Sequence, residues 1–382
     1  MMIFRIRPSA KNLIFVIANL LIAAGATAET QNPYALNTTW ETKYKTFNMS
    51  SFAYMDRNEN GSYDLGDQPL AGIIFVLEKD GQELWRVASN ENGFANFAGS
   101  RVTDEAPIYE LGDYSFTALV PPDWRVTSGN TSQIRKFIDV PGASMGGGLD
   151  EMMNPVGLVP PKEIRGRAEV GTELRISGPG FSSHPIEISE TGQFRITVPE
   201  RGRYELTSGT FKRLVEIEEY PVNIGNLRET EPVSGRLLTL TFDEISQNEL
   251  RKVPSGYGGL EWFNFNAMIN VFAKSSRGYV NGATSGSFIA YNSSGHPGRI
   301  SHPDGYDFVE VHLTGAWPDS EGETAIFEFW RGDKKVAEDQ VTLSAYSPVR
   351  YAPHMSNITS VRISTQHYWQ MVLDDLIVGL AP

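Results

Sequence analysis

The sequence predicts an all-β protein of three β-sandwich modules in tandem, and three observations carry that prediction. Apolar residues alternate with polar ones in Tyr114-Ser115-Phe116-Thr117-Ala118-Leu119, Gln193-Phe194-Arg195-Ile196-Thr197-Val198, Phe308-Val309-Glu310-Val311-His312-Leu313 and Ala325-Ile326-Phe327-Glu328-Phe329-Trp330. Alternation sends one set of side chains into a core and the other into solvent, the signature of a half-buried strand. These runs, with Ile73–Leu77 and Glu173–Ile176, are short and bounded by turn residues, which 36 Gly and 22 Pro supply. The pattern lapses twice, between Pro141 and Pro161 and again from Arg228 to Pro232, which divides the chain in three. Only Asp243–Lys252 reads as a helical turn or two.

The elements follow in order. Arg5, Arg7 and Lys11, the apolar run Leu13–Ala23 and the small-residue site Ala26-Thr27-Ala28 read as a secretory signal peptide over 1–28. Because that leader holds three basic residues and no acidic ones, the chain from Glu29 has 30 basic and 46 acidic residues, a net of −16. Such a surplus disfavours nucleic acid as a partner, since phosphate binding needs a basic stripe. With no cysteine in 382 residues there is no disulfide framework, thiol nucleophile or thiolate metal site. An N-terminal segment over 29–49 precedes the first module at 50–145, a linker at 146–160, a small module at 161–232 and a last one at 235–382. No second apolar stretch is long enough to span a membrane after signal cleavage.

The first module carries the most specific chemistry. Asp56-Arg57-Asn58-Glu59-Asn60-Gly61-Ser62-Tyr63-Asp64-Leu65-Gly66-Asp67 places oxygen side chains at loop positions 1, 3, 5, 9 and 12, with Gly at position 6. A hard cation such as Ca²⁺ takes six to eight oxygens, and a central glycine lets the backbone fold back around it. Asp56, Asn58, Asn60, Ser62 (through its carbonyl), Asp64 and Asp67 are the candidate ligands. The bland alternative is an Asx-rich turn that satisfies its own amides. The flanks look like strands, so the loop is not a helix–loop–helix site.

With Pro69-Leu70-Ala71-Gly72-Ile73, Asn92-Gly93-Phe94-Ala95-Asn96-Phe97, Gly112-Asp113-Tyr114-Ser115-Phe116 and Pro121-Pro122-Asp123-Trp124, this stretch resembles the B-type repeats of serine-aspartate repeat adhesins (SdrD B-like domains), which are prealbumin-like β-sandwiches. The resemblance covers about 50–140. It implies a structural calcium loop in a stiff, non-catalytic spacer.

The middle module repeats the grammar in shorter form. Its ending Val198-Pro199-Glu200-Arg201-Gly202-Arg203-Tyr204 resembles carboxypeptidase-regulatory-like and Ig-like spacers. His184 stands alone there and reads as a turn residue, so no chemistry is assigned.

The last module runs through Gly256-Tyr257-Gly258-Gly259-Leu260-Glu261-Trp262, Gly278-Tyr279-Val280-Asn281-Gly282, Phe288–Asn292, Thr314–Trp317 and Gln370–Leu376. It resembles the C-terminal domain of secreted bacterial (PEP-CTERM-type) proteins, jelly-roll carbohydrate-binding modules and galactose-binding-like folds. Sugar recognition combines flat aromatic faces with planar amides, and Tyr257, Trp262, Asn264, Tyr279, Asn281, Tyr291, Asn292, His367, Tyr368 and Trp369 are the candidates. The competing reading is that these rings fill a sandwich core and their polar atoms find internal partners. Jelly rolls of this type lay their first and last strands side by side, so Asp243, with Glu244, is expected near Asp374 and Asp375. Juxtaposed carboxylates need a second Ca²⁺ or a proton, and solvated strand ends are the alternative.

Enzyme motifs are missing from the sequence. Gly282-Ala283-Thr284-Ser285-Gly286 has the wrong spacing for a nucleophile elbow, and Ser301-His302-Pro303-Asp304 resembles a triad only in letters. His296, His302, His312, His354 and His367 are scattered. The preferred expectation is a secreted, calcium-stabilised, non-catalytic protein of the extracellular space or cell surface, with the periplasm as the alternative compartment. It would bind glycan or cell-envelope polysaccharide, as an adhesin or matrix component, through the last module. The alternatives are a glycoside hydrolase or lyase on the jelly roll, which needs only two placed carboxylates, and a purely structural envelope spacer.

Overall fold

The computed structural model describes residues 40–41, 46–98, 112–137, 155–229, 233, 235–245, 250–273 and 276–380. The leader over 1–28 lies outside the described residues, as does most of 29–49. Every alternating segment named above falls in a strand, and the described chain is almost wholly β, in tandem sandwiches.

In the first module one sheet is built on the strand Thr46–Met55, which pairs with Phe94–Ala98, Gln68–Pro69 and, in parallel, Val156–Val159. The facing sheet runs Gln82–Ala88, Ile74–Lys79, Gly112–Leu119, Ser132–Phe137. Phe52, Tyr54, Phe75, Phe97, Tyr114 and Phe116 fill the space between them. Each such ring, wholly removed from water, contributes roughly 1.5–3 kcal/mol. Val156–Val159 falls within the expected linker 146–160. Its four residues are buried, and they pair with Arg125–Val126 on the other side, so they complete the first sandwich.

The middle module packs the sheet Phe181–Ile186, Leu174–Gly178, Gly202–Ser208, Phe211–Ile217 against Gln193–Thr197, Glu163–Arg167 and Val222–Asn226. Ile164, Ile176, Phe194, Tyr204, Leu206 and Ile224 form its core.

The last module is organised by an 18-residue strand, Gly298–Gly315. Its first part pairs with Glu261–Phe263 and Met355–Thr365, and its last part with Val349–Tyr351 and Met371–Leu380, so it serves both sheets of the sandwich. First and last strands do lie side by side, with Arg236–Leu240 opposite Leu376–Leu380. Leu250–Lys252, read as helical, is a strand paired with Phe265–Ile269. The described α-helix is a single short one, Arg277–Asn281. Among the described residues no helix is long and apolar enough to cross a membrane.

Short linkers do not describe the junctions. Val222 and Asn223 pair in parallel with Arg350 and Tyr351, so the middle and last modules share a sheet. Tyr220 belongs to the first module's core, with Tyr346 packed against it. The buried Asn281 amide accepts from Ala71 N (3.1 Å) and donates to the carbonyls of Ala71 (2.9 Å) and Ala345 (3.2 Å).

Candidate functional site

The loop 56–67 spans Met55 and Gln68, which face each other across antiparallel strands. Its turn depends on Gly61 (φ 80°), where an added Cβ would lie 2.8 Å from the Thr127 carbonyl oxygen. Asp56 is buried, and its carboxylate accepts the backbone N–H groups of Asn60 (3.2 Å) and Gly61 (2.7 Å). Asn58 Oδ1 accepts from Asn60 N (3.0 Å) and Asn60 Oδ1 from Ser62 N (2.8 Å). The two amide nitrogens converge on Asp64, at 2.8 and 2.7 Å, and Asp67 closes the ring by accepting from Arg57 N and Asp64 N. Ser62 itself is exposed.

The ligand-type side chains therefore turn inward, whereas those at positions 2 and 4 turn outward to the middle module. Arg57 binds Glu219 (2.7 Å) and Glu59 binds Lys162 (2.8 Å), Arg125 and Arg201. Burial would raise the Glu59 pKa, but Lys162, Arg125 and Arg201 outweigh it and hold the carboxyl below its ordinary value. Asp67 moves up instead, through burial and then the neighbouring Asp56 and Asp64, despite its two backbone donors. Burial and the same three aspartates keep the Tyr54 phenol protonated. Among the described residues no three His, Asp or Glu side chains form a ready-made metal cage. The loop's donor set is mixed: two amides, whose N–H groups now supply positive charge to Asp64, and three carboxylates.

The second acidic group is built differently. Asp243, Asp374 and Asp375 all grip the segment 284–288. Asp243 Oδ1 accepts from Ser287 N (2.9 Å) and Phe288 N (3.0 Å). Asp374 is fully buried, and its Oδ2 accepts from Thr284 N (2.6 Å) and Ser285 N (3.1 Å). Asp375 accepts from Ser285 Oγ (2.6 Å). Thr284 Oγ1 touches Asp374 (3.0 Å) and Asp375 (2.7 Å), yet a hydroxyl has one proton to give. Burial, and then the Asp375 charge, push Asp374 up to about 7, against the backbone N–H groups of Ser285, Thr284 and Asp375 that favour its charged form. Glu244 is drawn away, accepting from Tyr257 Oη at 2.9 Å. His312, opposite Asp374 on the neighbouring strand, is pushed down to about 4 by burial, with Asp375 opposing and Arg350 assisting.

The aromatic candidates divide by burial. Tyr279 and Tyr291 are 3% and 8% exposed and meet each other edge to face, so neither offers a ring to a sugar. Asn281 is consumed by the module junction, and Asn292, fully buried, accepts from Met371 N (2.7 Å). Trp262 packs against Phe242 and Phe265 with its Nε1 donating to the Tyr257 carbonyl (2.9 Å). Tyr257 itself packs on the same core and donates to Glu244. For these six the core reading holds, since each ring or amide is spent on internal contacts. Trp369 is half-buried, its carbonyl accepting from Thr365 Oγ1. His367 and Tyr368 stay at the surface, His367 beside Glu323 (3.0 Å) and Tyr368 beside the His296 ring. Asn264 donates to the carbonyls of Ser293, His296 and Pro297, which ties that turn to the strand Glu261–Phe263.

That strand carries the ring the sequence reading missed. Phe263 is 63% exposed. Alternation contained the signal, because Trp262 points inward and its neighbour must point out. Phe263 stands opposite Arg299, Arg299 opposite Arg362, and Arg362 opposite Glu328, one row across four strands. Arg362 and Glu328 are paired at 2.6 Å. A shallow groove of about 240 Å³ lies among Phe263, Pro297, Gly298, Arg299 and Arg362.

No protein-family model and no curated protein matches the chain. Among solved structures, it is similar to the TIE protein of Bacillus anthracis (10% identity, 82% of this chain and 44% of that one, TM-score 0.20). It is also similar to a streptococcal ancillary pilin (14%, 47% and 62%, TM-score 0.20). A carbohydrate-binding module of the β-sandwich superfamily is a third (6%, 70% and 91%, TM-score 0.18). The chain spans less than two thirds of the length of the first two. Likenesses of this size place no function on it.

Proposed function

We propose that the protein is a non-catalytic binding protein of the cell surface or extracellular space, stabilised by Ca²⁺ at Asp56–Asp67, whose last module binds carbohydrate on the sheet face around Phe263. One observation carries the binding part: an exposed ring, two guanidinium groups and a carboxylate stand in register across four paired strands. A flat ring packs against the C–H face of a pyranose, while Arg299, Arg362 and Glu328 present planar donors and acceptors to its hydroxyls. Because the side chains sit on a sheet, their spacing is set before a ligand arrives, which lowers the cost of ordering. Tyr368 lies beside the His296 ring, next to Pro297 of the groove.

The calcium part rests on the loop's donor chemistry. Asp56 and Asp67 are pre-oriented by backbone N–H groups, and the Asn58 and Asn60 side-chain amides hold Asp64. With the cation bound, their oxygens would face it in place of the N–H donors, together with the Ser62 carbonyl. Export is supported by the leader pattern over 1–28.

A glycan array probed with the full chain, with and without chelator, tests both parts. Binding to neutral polysaccharide that Phe263→Ala abolishes at unchanged melting temperature is the expected result. Equal binding by the variant moves the site elsewhere, and release of shorter sugars from the bound polymer overturns the non-catalytic reading.

A further inference from the structure

We infer that the cleft between the middle and last modules is a second binding site, for an oligosaccharide that carries a carboxylate. The cleft has a volume of about 570 Å³, within the range of small-ligand sites. Its floor is the outward face of the middle module. Arg195, Arg165 and Asn223 stand opposite one another on three adjacent strands, and Gln193 stands opposite Arg167 in the next row. Its wall is Thr324, Gln340 and Thr342 of the last module.

Local sequence enforces this display. Gly166 lies between Arg165 and Arg167 on the inward side, where an added Cβ would come within 2.6 Å of the Phe194 ring and 2.9 Å of the Gly225 carbonyl oxygen. No side chain fits inward, and the two arginines are held outward by the pleat. The parallel pairing of Val222–Asn226 with Val349–Tyr351 fixes wall against floor.

Charge selects the ligand. The protein as a whole carries −13, yet the charged side chains lining this cleft are Arg165, Arg167, Arg195 and one acid, Glu187. Arg165 and Arg195 share the fully buried Glu163, and Arg195 also reaches Asp123. Arg167 has no carboxylate partner among the described residues. Its two ends donate to Gln340 Oε1 (3.2 Å) and the Thr191 carbonyl (2.8 Å), both neutral acceptors. A guanidinium has five N–H donors in a fixed fork that matches a carboxylate. Around it, the amides of Gln193, Asn223 and Gln340 and the hydroxyls of Ser189, Thr324 and Thr342 form a lining suited to ring hydroxyls. Phe194, 3% exposed, offers no stacking face, so recognition here is by hydrogen bonds and charge. The site shares no residue with the Phe263 face and stands or falls separately from it.

Calorimetric titration of the full chain with a uronic-acid trisaccharide, its methyl ester, triglutamate and inorganic phosphate tests the inference. The trisaccharide should bind, and the ester about ten- to hundredfold more weakly, as expected for loss of a charge-assisted hydrogen bond. Arg167→Gln should weaken the trisaccharide by a similar factor at unchanged melting temperature, Arg167→Lys by less, and Phe263→Ala not at all. If Arg167→Gln alters the fold, Gln340→Ala on the opposite wall takes its place, with weaker binding expected. Equal binding of acid and ester, insensitivity to both substitutions, or no heat from the trisaccharide would overturn the site. Binding of triglutamate or phosphate as tight as that of the trisaccharide would overturn its assignment to a saccharide.

Discussion

The chain holds two clusters of aspartates that read alike as letters and are unlike as chemistry. In the loop 56–67, Asp64 is exposed and Asp56 is locked by its own loop's backbone N–H groups. Amide N–H groups reach all three carboxylates, Asp64 and part of Asp67 meet solvent while Asp56 does not, and the Tyr54 phenol feels their field. In the last module Asp374 is buried, shares one hydroxyl with Asp375, and is pushed up to about 7 by burial and the Asp375 charge. Acid held by N–H donors at the edge of solvent can wait for a cation. Acid that is buried beside acid is driven towards its protonated form.

The strongest way to break that contrast is Asp56→Ala. It takes the acceptor from the part-buried Gly61 N–H and one of two acceptors from Asn60 N–H, and a loss of roughly 2–4 kcal/mol is expected from urea unfolding. Asp64→Ala, at an exposed position, should cost under about 1 kcal/mol without calcium. Next comes the ion itself. Saturating Ca²⁺, at a hundredfold over its Kd, should add about 2.7 kcal/mol to the wild type, nothing to Asp64→Ala, and the full amount to Asp374→Asn. If Asp374→Asn abolishes the gain, the two clusters have been assigned the wrong way round.

A pH series sharpens the proton-sharing side. The folded pKa of Asp374, about 7, lies above the unfolded value of about 3.9. Its contribution is therefore complete below the unfolded pKa and is lost as pH rises towards 7. His312 and His354, both pushed down to about 4 by burial, act in the opposite sense: their contribution is present above about 6.5 and is lost as pH falls towards 4. Stability of Asp374→Asn should then climb more steeply between pH 4 and 7 than that of the wild type. Parallel curves from chemical denaturation would show that Asp374 keeps no extra proton. The smallest effect is expected for Thr284→Val, about 1 kcal/mol, accompanied by a change in the Asp374 titration that a packing defect alone does not produce.

Strands were legible wherever alternation was long enough to show. Gly112–Leu119 and Thr324–Arg331 were readable from their own residues, whereas Val156–Val159 is apolar on both sides and too short to carry a period. The loop was legible as a spacing, and its six residues are gathered in one turn. The sugar candidates were legible only as residue types: nothing in Tyr279 or Tyr291 says that both faces of the ring are covered. Reading the phase of Glu261-Trp262-Phe263 would have exchanged Trp262 for Phe263. The cleft was beyond reach, since Arg167 and Gln340 meet across 173 positions of sequence.

Tyr220 belongs to the middle module by sequence and to the first module's core by packing, while Val222 and Asn223, just after it, hydrogen-bond to the last module. Residues 220–223 thus tie the three modules together, and the first core is completed by Tyr220 as the middle one is by Ala352 of the last module. Heated in a calorimeter, the protein should absorb its heat in one transition whose van 't Hoff and calorimetric enthalpies agree. Limited proteolysis should correspondingly find no stable fragment ending at residue 220.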